Sequence, residues 1–201
     1  FGASLAKPSG NITGLATLAP ELSGKRLEIL REVLPKLTRV AVLATSTSPG
    51  YAQSRSEVDL AAKAFGVKLQ YLDVQKAQDI DAGLRAAIKE HADAVLMLTG
   101  GVLFSVRAQI LDFAIRSHLP VMYHESRYVE AGGLMYYGVN LLDLDRRAAT
   151  YVDKILQGRT PADLPVEQPM KFEFIVNLKA AKQIGLTIPP NVLVRADKVI
   201  R

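Results

Sequence analysis

From residue 39 onward the chain keeps returning to one pattern, a short apolar run followed by an amphipathic stretch of helical period. The apolar runs begin at Arg39 (RVAVLA), Val67 (VKLQYLDV), Asp93 (DAVLMLT), Leu119 (LPVMY) and Gly133 (GLMYYGV). Between them, Val58, Ala61, Ala62 and Phe65 fall on one helical face ended by Gly66, and Ile80, Leu84, Ala87 and Ile88 fall on another. A further helix is predicted over residues 106–117. Strands alternating with helices of this length call for right-handed βαβ crossovers, hence an α/β fold with a parallel sheet buried on both faces. In such a sheet the loops that follow the strands share one edge, where ligands bind.

The flanks of this series are helical. ELSGKRLEILREVLP puts Leu27, Leu30 and Leu34 inward and stops at Pro35. NLLDLDRRAATYVDKILQG, residues 140–158, carries the stripe Leu141, Leu144, Ala148, Val152 and Ile155, with Gly158 suited to a left-handed stop. The remainder holds one strand, KFEFIVN, and short helices among five of the chain's ten prolines. There is no internal repeat.

Composition excludes several functions. With 201 residues and 49% hydrophobic content the chain supports one good core or two small lobes. No apolar run approaches the roughly 20 residues that span a bilayer, and the opening FGASLAKPSGNITG lacks the apolar centre of a signal peptide. The net charge of +5 comes from 25 basic residues mixed with 20 acidic ones and never three in a row, which reads as a mixed solvated surface and not as a nucleic-acid footprint. Without cysteine, thiol nucleophiles and thiolate metal sites are out; His91, His118 and His124 are too dispersed for a metal. No G-x-G-x-x-G follows a strand, SGKR lacks the upstream glycine of a P-loop, and G-x-S-x-G does not occur, so no cofactor is expected.

Three post-strand loops remain as binding candidates. TSTSPGY, residues 45–51, brings Ser46, Thr47 and Ser48 ahead of a helix that Pro49 opens; such hydroxyls and free N–H groups hold anions, while Ser48 taken alone reads better as a helix cap. TGGVLF, residues 99–104, offers Gly100 and Gly101, where a ligand or another part of the chain can approach closely. YHESRY, residues 123–128, begins like a zinc-protease motif, but the fifth position is Tyr128, so His124 and Glu125 read as rim groups or as a solvated helix start. Tyr137, near the end of the last apolar run, completes the set.

Three long phrases resemble the substrate-binding proteins of ABC uptake systems, in the subfamily that includes tryptophan and tyrosine binders. They are PSGNITGLATLAPELSGKRLEILREVLPKLTRVAVL, LPVMYHESRYVEAGGLMYYGVNLLDLDRRAATYVDKILQG and PADLPVEQPMKFEFIVNLKAAKQIGLTIPP. The resemblance implies a type I periplasmic-binding-protein-like fold, non-catalytic capture of an amino acid or related small anion in an interlobe cleft, delivery to a membrane ABC permease, and a periplasmic location. It also implies that much of a first lobe precedes this sequence. Residues 1–14 are then a remnant of that lobe and the crossover, 15–138 the ligand-binding lobe, 139–170 a first-lobe helix and segment, and 171–201 a return to the main lobe. Family members place polar side chains where Gly100 and Gly101 stand, so their solute preference does not transfer directly. The stripe of residues 140–158, lacking its sheet, is expected to pair with a second copy in a homodimer. The alternatives are a small α/β enzyme acting on an anionic metabolite through Ser46 or Ser48 and His124, and a ligand-sensing regulatory domain.

Overall fold

A computed structural model describes residues 4–8 and 10–201, so residues 1–3 and Ser9 of the expected 1–14 remnant lie outside the described residues. The helices and strands are α1 (Glu21–Val33), β1 (Arg39–Ala44), α2 (Tyr51–Phe65), β2 (Lys68–Asp73), α3 (Ile80–Lys89), β3 (Ala94–Met97), α4 (Gly101–Ser105), α5 (Arg107–Arg116), β4 (Val121–Tyr123), α6 (Ser126–Glu130), β5 (Met135–Val139), α7 (Leu141–Leu156), β6 (Phe172–Asn177), α8 (Leu178–Gln183), α9 (Pro190–Leu193) and β7 (Lys198–Ile200). The strands form one sheet in the order β2-β1-β3-β4-β5-β6-β7. The first five, those read from the apolar runs, pair in parallel: Val40 stands opposite Leu69 on one side and Ala94 on the other, Val95 opposite Val121, and Met122 opposite Met135.

Burial explains why these runs became strands. β1 and β3 are buried almost throughout, as central parallel strands must be, whereas edge strand β2 buries only Leu72. Alternate side chains feed two cores. Val40, Val42, Ala94 and Leu96 pack with Leu27 and Leu30 of α1 and Val58 of α2; Ala41, Leu43, Val95 and Met97 pack with Leu84 of α3 and Ile110 of α5. Each large side chain withdrawn from water contributes about 1.5–3 kcal/mol, so the period-2 alternation holds the register.

Helix ends follow their local chemistry. Gly66 closes α2 with φ 68° and its N–H on the carbonyls of Ala62 and Lys63; Gly158, just beyond α7, has φ 95°. The helix expected over 106–117 starts earlier and breaks in two at Val106, where φ −105° and ψ 16° leave the helical region; the break lets Leu103 and Val106 both reach the same core. β7 was not legible in advance, being three residues long. It runs parallel to β6, and the Asp197 carboxylate fixes the junction by accepting the Phe174 N–H at 2.7 Å.

The described chain separates into two compact units. The larger comprises Ala19–Gly138 and Glu173–Arg201; the smaller takes residues up to Leu18 and Val139–Phe172. Within the smaller, Asn140 caps α7 by accepting the Asp143 N–H at 2.9 Å, Leu15 bridges to Glu167, and Arg147 pairs with Glu167. The face that α7 buries differs from the expected stripe. Leu144 and Tyr151 are buried, Leu141 and Ala148 half-buried, and Val152 and Ile155 are 56% and 37% exposed. Tyr151 sets this rotation, because its hydroxyl donates to the Pro165 carbonyl at 2.6 Å.

Candidate functional site

Because β1, β3 and β4 are parallel neighbours, the loops after them leave the sheet at one edge, spaced by about 4.8 Å per strand. Ser46, Thr47 and Ser48 follow β1, Gly100 and Gly101 follow β3, and His124 and Glu125 follow β4. Half-buried Tyr137 lies in β5 near its carboxyl end. The topology thus brings the three loops to a common edge.

The hydroxyl loop turns toward β2. Ser46 donates its N–H and its hydroxyl to the two Asp73 carboxylate oxygens at 2.8 and 2.7 Å. The Gln75 amide donates to Ser46 Oγ at 2.6 Å and to Asp73 Oδ2 at 2.7 Å, and Thr47 donates to Gln75 Oε1 at 2.9 Å. Burial alone would raise the Asp73 carboxyl, but the Gln75 amide and the Ser46 N–H and hydroxyl outweigh it and hold the group below its ordinary value. Buried Thr45 donates to the Val74 carbonyl at 2.9 Å. Ser48 makes no side-chain cap and Pro49 does not open the helix. The N-cap is Gly50 at φ 78°, α2 starts at Tyr51, and residues 45–51 are held by a turn in which the Ser48 N–H reaches the Thr45 carbonyl at 2.9 Å. A left-handed glycine between proline and helix moves the helix start two residues past Pro49.

The two glycines do different things. A Cβ on Gly100 would lie 2.7 Å from the Thr45 hydroxyl oxygen, so the residue is small in order to seat Thr45. A Cβ on Gly101 would have nothing within 4 Å, which leaves this position open to a ligand.

The third loop sits on an aromatic stack. Tyr128, where a zinc-protease motif would have its second histidine, stacks on Tyr123 at 5.0 Å and 14°, with Phe104 edge-on at 6.0 Å. Both phenols are fully buried, and neither hydroxyl has a partner among the described residues. Gly133 makes room for the stack, since a Cβ there would stand 2.5 Å from the Tyr123 ring. Glu125 is the N-cap residue of α6 without a side-chain cap and pairs instead with Arg127, whose guanidinium lies 4.3 Å over Phe104. His124 is half-buried, with its Nδ1 atom enclosed and unpartnered; burial first, then the charges of Arg26 and Arg127, push its proton affinity down to about 3. The imidazole is therefore neutral.

Among the described residues no hydrogen bond joins Ser46 to His124. Ser46 gives its hydroxyl to Asp73, and β1 and β4, which carry Ser46 and His124 on the loops that follow them, are two strand positions apart, about 10 Å. No group of three or more His, Cys, Asp or Glu side chains is placed to hold a metal among the described residues. Sequence reasoning missed Asp73 and Gln75, which organise the hydroxyl loop, although polar residues closing an apolar strand were the available signal. It also missed Arg26, a charge at an inward position of α1 between Leu22 and Leu30, buried to 2% exposure.

A parallel sheet with helices on both faces and polar loops along one carboxyl edge is the fold of type I periplasmic-binding-protein lobes. The family model of ABC transporter substrate binding protein matches residues 2–200, and the chain belongs to that family. The tyrosine-binding protein of Clostridioides difficile (strain R20291) is 23% identical over 186 residues, covering 91% of this chain and 52% of that protein. Among solved structures, a conserved domain protein from Vibrio cholerae is 29% identical with TM-score 0.86, covering 98% of this chain and 66% of the other. An ABC domain from Streptococcus pneumonia in complex with L-Trp is 24% identical with TM-score 0.88, covering 99% and 68%, and shows the shared fold. The chain thus spans about half of the curated relative's length and about two thirds of these solved chains.

Proposed function

We propose that the protein captures a small solute, an amino acid or related small anion, without transforming it, and hands it to an ABC permease from the extracytoplasmic side of the membrane. The family match across residues 2–200 carries this reading. Two relatives, a tyrosine-binding protein and an ABC domain in complex with L-Trp, point the solute toward amino acids. In this account residues 15–138 form the binding lobe, 1–14 and 139–170 belong to its counterpart, and 171–201 return to the first. Ser46, Thr47, Ser48, Gly100, Gly101, His124, Glu125 and Tyr137 line the solute's side of the lobe. The hydrogen bonds to Asp73 and Gln75 make the hydroxyl loop a preformed surface, which lowers the ordering cost of binding.

Thermal unfolding with and without solute tests the reading. A ligand that binds only the folded state adds about 2.7 kcal/mol at a hundredfold excess over its dissociation constant, a shift of several degrees. Addition of L-tyrosine, L-tryptophan or another amino acid is expected to raise the melting temperature, and the Ser46→Ala, Ser48→Ala double variant to respond less. An unchanged response in that variant would reduce the loop to a structural turn; no response of the native protein to any amino acid would reject amino-acid capture.

A further inference from the structure

Among the described residues the chain passes between its two compact units at three points, Leu18–Ala19, Gly138–Val139 and Phe172–Glu173. On the larger unit's side each crossing is fastened by a charged side chain. Arg26 of α1 holds two of them. Its Nε donates to the Tyr137 carbonyl at 2.7 Å, just ahead of the second crossing, and its Nη1 reaches the carbonyl of Ala19, the first residue of the larger unit, at 3.5 Å. The buried Ser23 hydroxyl donates to that same Ala19 carbonyl at 3.0 Å. Asp197 holds the third crossing: its carboxylate accepts the Phe174 N–H at 2.7 Å, and its own N–H donates to the Phe174 carbonyl at 2.9 Å.

Arg26 is an unusual choice for such a task. It is the one charged residue buried among the described residues, at 2% exposure, and it joins none of their ion pairs. A buried charge is ordinarily paired with an opposite one; here the rigid fork of the guanidinium is given to main-chain oxygens. Those oxygens lie where regular structure stops. The ladder between β4 and β5 ends at the pair Tyr123–Tyr136, and the next carbonyl along β5 is the one that Arg26 takes. Immediately before Ala19, Leu18 stands at φ 50°, in the left-handed region that a side chain disfavours. Such a backbone persists where its surroundings over-determine it, and the doubly engaged Ala19 carbonyl is part of that hold.

We propose that Arg26 and Asp197 are positioning residues that fix the three points at which the chain leaves the larger unit, and so restrict how freely the smaller unit swings on its connections. Neither side chain has to touch a solute to do this, and the inference stands apart from the solute's identity. Restriction and stability are separable here: Leu27, the next residue of α1, is fully buried in the core and supports the larger unit without bonding to any crossing.

Pulsed electron paramagnetic resonance tests this without a solute. The chain has no cysteine, so Ser56→Cys on α2 and Asp153→Cys on α7, both exposed, give one spin label in each unit. The labelled protein is diluted into unlabelled protein, so that only distances within one chain are read. Arg26→Met should broaden the distance distribution about twofold, because freed connections absorb larger backbone changes, while Arg26→Lys, which keeps a donor, should fall between it and the native width. Asp197→Ala should broaden it as well, through the third crossing. Leu27→Val should lower the melting temperature and leave the width native, which a merely structural role for Arg26 would match. A folded Arg26→Met of native width overturns the proposal, as does a Leu27→Val distribution as broad as that of Arg26→Met. If Arg26→Met does not fold, the exposed Asp197 decides, and native width in Asp197→Ala overturns the proposal equally.

Discussion

At the scale of single residues, His124 makes the sharpest statement about pH. Its imidazole ordinarily takes a proton near 6.5, but burial above all, and then the charges of Arg26 and Arg127, lower this to about 3 in the folded chain. A base whose folded affinity is depressed stays neutral in the fold while the unfolded chain gains the proton. The contribution to stability is therefore complete above about 6.5 and is lost as pH falls from there toward about 3. Denaturant unfolding at a series of pH values should show native stability falling more steeply through this window than that of His124→Asn, in which the titration is removed. Parallel profiles would mean that the ring is as solvated as a free histidine.

At the scale of elements, α7 is where expectation and structure diverge most usefully. The spacing of Leu141, Leu144, Ala148, Val152 and Ile155 correctly marks an amphipathic helix, yet the buried pair is Leu144 and Tyr151, leaving Val152 and Ile155 exposed together with Leu142 at 58% and Leu156 at 82%. Periodicity reports that a helix has an apolar side; the tyrosine's tie to Pro165 decides which residues use it. The β elements were more legible, because a parallel strand buried on both faces is written as an unbroken apolar run such as RVAVLA, and β1 occupies those six residues. β7 and the break at Val106 were hidden for the opposite reason, being settled by contacts distant in sequence or by three-residue geometry. Among the site residues, Gly100 was legible as a place of close approach, but that the approaching group is Thr45 depends on β1 lying beside β3. The exposed apolar residues of α7 predict self-association. Sedimentation across the micromolar range should find a concentration-dependent dimer that Val152→Glu with Ile155→Glu abolishes, and a monomer at every concentration would reject the symmetric pairing.

At the scale of the whole molecule, a parallel sheet places polar loops on one edge, and the proposed function has those loops bind a solute without transforming it. The hydroxyls of Ser46 and Thr47 are committed to Asp73 and Gln75, and the His124 ring is held neutral on a loop two strand positions away, an arrangement that suits recognition. Native mass spectrometry of the purified protein, mixed with the proteinogenic amino acids and then denatured to release what it holds, tests this most directly. The account predicts a saturable adduct of one amino acid per chain, released with its mass unchanged. No saturable adduct, or release of a compound whose mass has been altered by the protein, would contradict it.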